Sequence, residues 1–149
     1  MYEIINNQLI DLDNFPKVII NLCKVSDSTI LINEWIKLYE HNTPFTFIFN
    51  LSNLNASIKD ICHGLVLANF IKKIKKFRKI NPDKYNNLRE SIVIVKNKLG
   101  NTFIRSIFNL TTPLSNTYIV DSEDLADEIY NKINNNEEFN YKNVKLIKP

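Results

Sequence analysis

Apolar positions along this chain change their period several times, and the changes outline a fold. "YEII" and "LIDL" are short apolar-rich segments separated by "NNQ", the pattern of two paired strands. "KVIINLC", from Lys17 to Cys23, follows Pro16 and is nearly continuous in β-branched residues, which predicts a third strand. In "SDSTILINEWIKLYEHNTP" the period lengthens. Ile32, Trp35, Ile36 and Tyr39 recur at three- and four-residue steps, Asp27 or Ser28 can cap, and Pro44 stops the helix. "FTFIF" at 45–49 is apolar or β-branched throughout, as expected of a strand covered on both faces.

Further on, the spacing predicts a helix from near Ser57 to about Ile80, where "NP" at 81–82 interrupts it. "ESIVIVK" at 90–96 and "NTYIVD" at 116–121 predict two more buried strands, with the helical "GNTFIRSIFNLT" between them. "SEDLADEIYNKI" is the clearest helix. Ser122 caps it, Glu123 and Asp124 sit at the positive end of its dipole, and Leu125, Ile129 and Ile133 form a stripe. The alternation predicts a single α/β domain. Its sheet is mainly parallel, with four to six strands, an N-terminal hairpin and four flanking helices. The domain spans residues 1–136. Residues 137–149 form a tail whose Phe139, Tyr141, Val144, Leu146 and Ile147 suit an edge strand on the same domain or an arm in another subunit's groove.

Composition narrows the class. At 149 residues the chain has one domain's length, and 44% hydrophobic with 23% charged residues is ordinary for a globular protein. Asn and Ile stand well above their usual shares, the signature of AT-rich coding in a protist or a large DNA virus, so single asparagines carry little information. Cys23 and Cys62 lie in apolar segments and are read as reduced, buried side chains. The start "MYEIINNQLID" lacks a signal peptide's pattern and no stretch has the roughly 18 apolar residues of a membrane span, so a cytoplasmic protein is expected.

Two places carry candidate chemistry. The first is the polar break "NLSNLNASIKD", where Asn50, Ser52, Asn55 and Ser57 lie between a strand's carboxyl end and a helix start. Ligands of open α/β sheets sit in such places, and a free helix N-terminus suits a phosphate. Alternatively, Ser57 with Asp60 three residues on approaches a capping box that uses those N–H groups internally. Ser57, Asp60 and His63 do not make a catalytic triad, because steps of three on one helix drift round the cylinder by about 60°. Two cysteines and two histidines, at 23, 41, 62 and 63, show no metal-ligand spacing, and neither metal nor cofactor is expected.

The second place is a basic stripe. Lys72, Lys73, Lys75, Lys76, Arg78 and Lys79 interleave with Ile71, Ile74, Phe77 and Ile80, the apolar residues falling three apart on one face. Three readings stand. The lysines complement the negative pole of a helix dipole, meet acidic lipids, or track nucleic-acid phosphates with only Phe77 and Tyr85 available for stacking. The formal charge of +3 is small for a nucleic-acid binder, which places that reading last.

The order of elements resembles the STAS fold, the domain of anti-sigma-factor antagonists and sulfate-transporter tails, related in shape to the core of CRAL-TRIO lipid-transfer domains. The likeness is one of layout over about residues 2–134. It rests on "FIFNLSNLNAS" at 47–57 and the helix after it. Regulatory members of that family carry a phosphorylatable Ser in a "D-S-S-G" segment at the start of this helix. Here the stretch reads "SIKD", and Ser57 is the nearest position. The resemblance implies a module without catalysis that docks onto partner proteins or anionic ligands. The expected function is therefore regulation or assembly through protein–protein contacts, self-association included. Peripheral binding to lipid or another anionic surface through residues 72–79 is the alternative.

Overall fold

The computed structural model describes residues 9–55 and 64–149. The expected strand "YEII" and residues Ser57, Asp60, Cys62 and His63 lie outside the described residues. Among the described residues six strands and four α-helices follow in chain order. They are β1 (Ile10–Asp11), β2 (Lys17–Asn21), α1 (Ser28–Glu40), β3 (Phe45–Asn50), α2 (Gly64–Ile80), β4 (Leu88–Ile94), α3 (Lys98–Phe108), β5 (Thr117–Val120), α4 (Glu123–Asn134) and β6 (Lys145–Ile147).

The strands lie in one sheet in the order of the chain, β1 to β6. β2, β3, β4 and β5 are parallel, while β1 and β6 flank them antiparallel at the two sides. Residues 137–149 thus include a strand of their own domain's sheet, with Tyr118 opposite Leu146. Each crossover steps one strand further in the same direction. Right-handed crossovers of that kind place successive helices on one face.

That face holds the larger core. Alternation along the strands turns Val18, Ile20, Phe45, Phe47 and Val93 toward α1, α2 and α3. Trp35 is the hub, edge-on to Phe47 at 4.8 Å and to Phe70 at 5.0 Å. Gly64 lets α2 approach α3 closely, because a Cβ there would run into the Ser106 hydroxyl. The opposite face is thinner. Ile48, Ile92, Ile94 and Val120 meet Ala126, Ile129 and Tyr130 of α4, and Phe139, Tyr141 and Val144 of the tail pack beside them.

Several local expectations are corrected. β2 stops at Asn21, and Leu22 takes the next buried position, so Cys23 turns outward and is exposed. Neither Asp27 nor Ser28 caps α1 through its side chain. A 3-10 turn at Val25–Asp27 leads in, Asp27 already has helical backbone angles, and the Ser28 hydroxyl is buried without a hydrogen bond. The inward stripe of α1 is centred on Leu31, Trp35 and Leu38, with Ile32 and Ile36 at its half-buried margins. Ile80 is 82% exposed. Steps of three lag the helical turn by about 60° each, which carries it half-way round from Ile71.

Candidate functional site

The polar break leaves β3 at its carboxyl end. Asn50 is the last residue of the strand, and its Oδ1 accepts from the Ser52 backbone N–H at 3.0 Å and from the Ser52 hydroxyl at 2.5 Å. Its Nδ2 donates to Glu123 Oε1 at 3.2 Å, which ties the end of β3 to the first turn of α4. Buried Leu51 and Leu54 anchor the loop from below. The Asn55 backbone N–H donates to the Cys23 carbonyl at 2.8 Å, joining the loop to the end of β2, while the Asn55 side chain is exposed.

The structure therefore brings Asn50 and Ser52 together and adds Glu123, which sequence spacing did not single out. Asn55 stands apart from them, and Ser57 is outside the described residues. At the neighbouring strand ends, Asn97 Oδ1 accepts from the Gly100 N–H at 2.9 Å and Ser122 Oγ from the Leu125 N–H at 3.2 Å. These polar side chains close loops and cap helices.

Ligands of open α/β sheets bind in the crevice where helices from adjacent strands leave toward opposite faces. Here that point lies between β4 and β5, since α3 packs on one face and α4 on the other, and Asn97 and Ser122 at those two strand ends each accept a hydrogen bond from their own helix. Beneath α2 and α3 a cavity of about 50 Å³ is lined mainly by Trp35, Phe49, Ile71, Phe103, Ile107 and Leu114. It is far below the few hundred Å³ of an ordinary small-molecule site. A shallow groove of about 330 Å³, edged by Glu40, Asn42, Asp83 and Lys84, lies where α1 and α2 lead into β3 and β4, at the opposite end of the sheet.

The basic stripe divides in two. Arg78 Nε donates to the Tyr85 carbonyl and Nη1 to the Leu114 carbonyl, each at 2.7 Å, which fastens the end of α2 to the segments before β4 and β5. Lys75 Nζ donates to Thr111 Oγ1 at 3.2 Å and Thr112 Oγ1 at 2.5 Å. Burial, with Arg78 and Lys72 adding repulsion, holds the Lys75 ammonium below its usual pKa. Lys72, Lys73, Lys76 and Lys79 are exposed. The division was available in the sequence, because Ile71, Ile74, Lys75 and Arg78 follow the i, i+3, i+4, i+7 pattern of the inward face.

Titratable groups elsewhere are perturbed without forming a site. Burial pushes the Tyr39 phenol up to about 12, against an opposing hydrogen bond from Trp35 Nε1 at 3.1 Å. Burial also raises the Glu90 carboxyl, with Arg89 opposing. Among the described residues no group of three or more His, Cys, Asp and Glu side chains could hold a metal ion, and no helix is long and apolar enough to cross a membrane. Set against protein-family models, curated proteins and solved structures, the chain matches none of them.

Proposed function

We propose that this protein is a STAS-like module without catalysis, working in the cytoplasm in regulation or assembly through protein–protein contacts. The observation that carries the reading is the self-bonding of the described strand ends, where Asn50, Ser52, Asn97 and Ser122 all hydrogen-bond to their own chain. The working parts are then the outer surfaces. Exposed Ile30, in the first turn of α1, is an apolar side chain that a protein partner would cover.

Native mass spectrometry of the protein drawn gently from the cells that make it tests the proposal. A complex with itself or with a second protein supports it. A bare monomer, or a monomer retaining a small-molecule adduct, overturns it. Replacing Asn50 by Asp, which puts a second carboxylate beside Glu123, should leave such a complex intact.

A further inference from the structure

The outward face of α2 is strongly one-sided in charge. Its described residues, Gly64–Ile80, carry six basic side chains and no acidic one. With Lys75 and Arg78 turned inward, Lys72, Lys73, Lys76 and Lys79 share a single exposed arc, since at 100° per residue these positions fall within about 120° of one another. Among the described residues none of the four ammonium groups makes an ion pair; Lys73 lies over the Phe77 ring. The neighbouring helix α3 adds exposed Lys98 and Arg105 and contains no carboxylate.

Apolar side chains share the same arc. Leu65 is 49% and Val66 38% exposed near the start of the described part of α2, and Ile80 is 82% exposed at the far end. The lysines thus stand between aliphatic side chains along a face about 25 Å long. Aliphatic groups flanking a cationic band suit the boundary between lipid headgroups and acyl chains, where buried apolar area and attraction to anionic lipid act together.

Other occupants fit less well. A nucleic acid needs exposed rings for its bases, and Phe77 is half-buried against Tyr85, 5.2 Å away. A second copy would have to offer acidic α4, whose carboxylates are largely engaged already. Asp127 pairs with Lys17 at 2.8 Å, Glu123 accepts from Asn50, and Glu128 accepts from the Tyr141 hydroxyl at 2.6 Å.

We infer that the outward face of α2 docks the protein onto a bilayer rich in anionic phospholipid, with Lys72, Lys73, Lys76 and Lys79 at the headgroups and Leu65, Val66 and Ile80 entering the interface. This goes beyond the protein-contact reading and does not depend on it. Contact is peripheral, and α4, on the opposite face of the sheet, points away from the membrane.

The test is co-sedimentation of the full chain with phosphatidylcholine vesicles, with and without phosphatidylserine, across a salt series. The wild type should bind only the anionic vesicles and lose binding steeply with salt. At about five-fold in partition per lysine, replacing Lys72, Lys73 and Lys76 by Gln should weaken binding about a hundred-fold. The charge-matched control, Lys142, Lys145 and Lys148 to Gln, should change it little. Leu65→Ser with Val66→Ser should lower the partition and leave the salt dependence unchanged. Absence of wild-type binding at low salt overturns the inference, as does equal loss in the two lysine triples. Binding to a single-stranded oligonucleotide that exceeds vesicle binding and ignores the Leu65 and Val66 changes would assign the face to nucleic acid and also overturn it.

Discussion

The two faces of the sheet solve the same burial problem in different ways. One is roofed by α1, α2 and α3 over a layer of interlocked aromatic rings, with Trp35 in contact with Phe47, Phe49 and Phe70. The other is covered by α4 and by a tail that returns as β6. The difference follows from the winding. A sheet that never reverses sends every crossover helix to one side, so the second side must be covered by what comes after the last parallel strand. The tail is in this sense part of a core, with the Phe139 ring tilted against Tyr118 at 5.2 Å.

Two isoleucines put the comparison to its hardest test. Ile74 on α2 and Ile129 on α4 are both fully buried, in opposite clusters. Truncation leaves a cavity whose cost depends on how far its walls relax, and a single helix beside a tail can settle where three packed helices cannot. Ile74→Ala should cost about 4 kcal/mol and Ile129→Ala about 2.5 kcal/mol. Urea unfolding followed by circular dichroism would measure both. Equal losses, or a larger one at Ile129, would break the comparison.

A smaller effect separates the helix starts on the two faces. Ser122 caps α4 with its hydroxyl, whereas Asp27 makes no side-chain cap on α1. Ser122→Ala should cost about 1 kcal/mol in thermal unfolding, the typical worth of a lost N-cap bond. Asp27→Ala should stay within about 0.5 kcal/mol, the usual range for a surface change that removes no such bond. A loss at Asp27 matching that at Ser122 would show that the first turn of α1 is held by its charge.

The contrast between these two caps also shows what was legible in the sequence. Asp27, Ser28 and Ser122 are equally good capping residues by type. Only Ser122 comes one residue after a strand, with the extended backbone that aims its side chain at the next turn, whereas the chain reaches Asp27 through a 3-10 turn. Runs such as "FTFIF" revealed their strands because burial on both faces leaves only apolar or β-branched positions. Strand order was not legible, since an apolar period says that a face is buried and not which neighbour buries it. The closure of the polar break was hidden for a related reason. Asn50 and Ser52 were visible as polar residues at a strand end, but Glu123, 73 positions from Asn50, becomes the partner of Asn50 only through the winding.

The smallest expected effect lies on the thin face and concerns pH. Glu90 Oε2 is buried without a hydrogen-bond partner, and burial raises its carboxyl pKa despite Arg89. A carboxyl held above its unfolded pKa is ionised less readily in the native state. The fold is therefore penalised once pH exceeds the native value and relieved as pH falls back through it toward the ordinary glutamate range of about 4.3. Glu90→Gln removes the ionisation and keeps the shape. The variant should melt slightly above the wild type at neutral pH, and the advantage should vanish near pH 4. Paired thermal melts at the two pH values decide it. A variant less stable at neutral pH would mean that the Glu90 carboxylate is held by Arg89 more firmly than burial opposes it, and the thin face would then be fastened by charge rather than by contact alone.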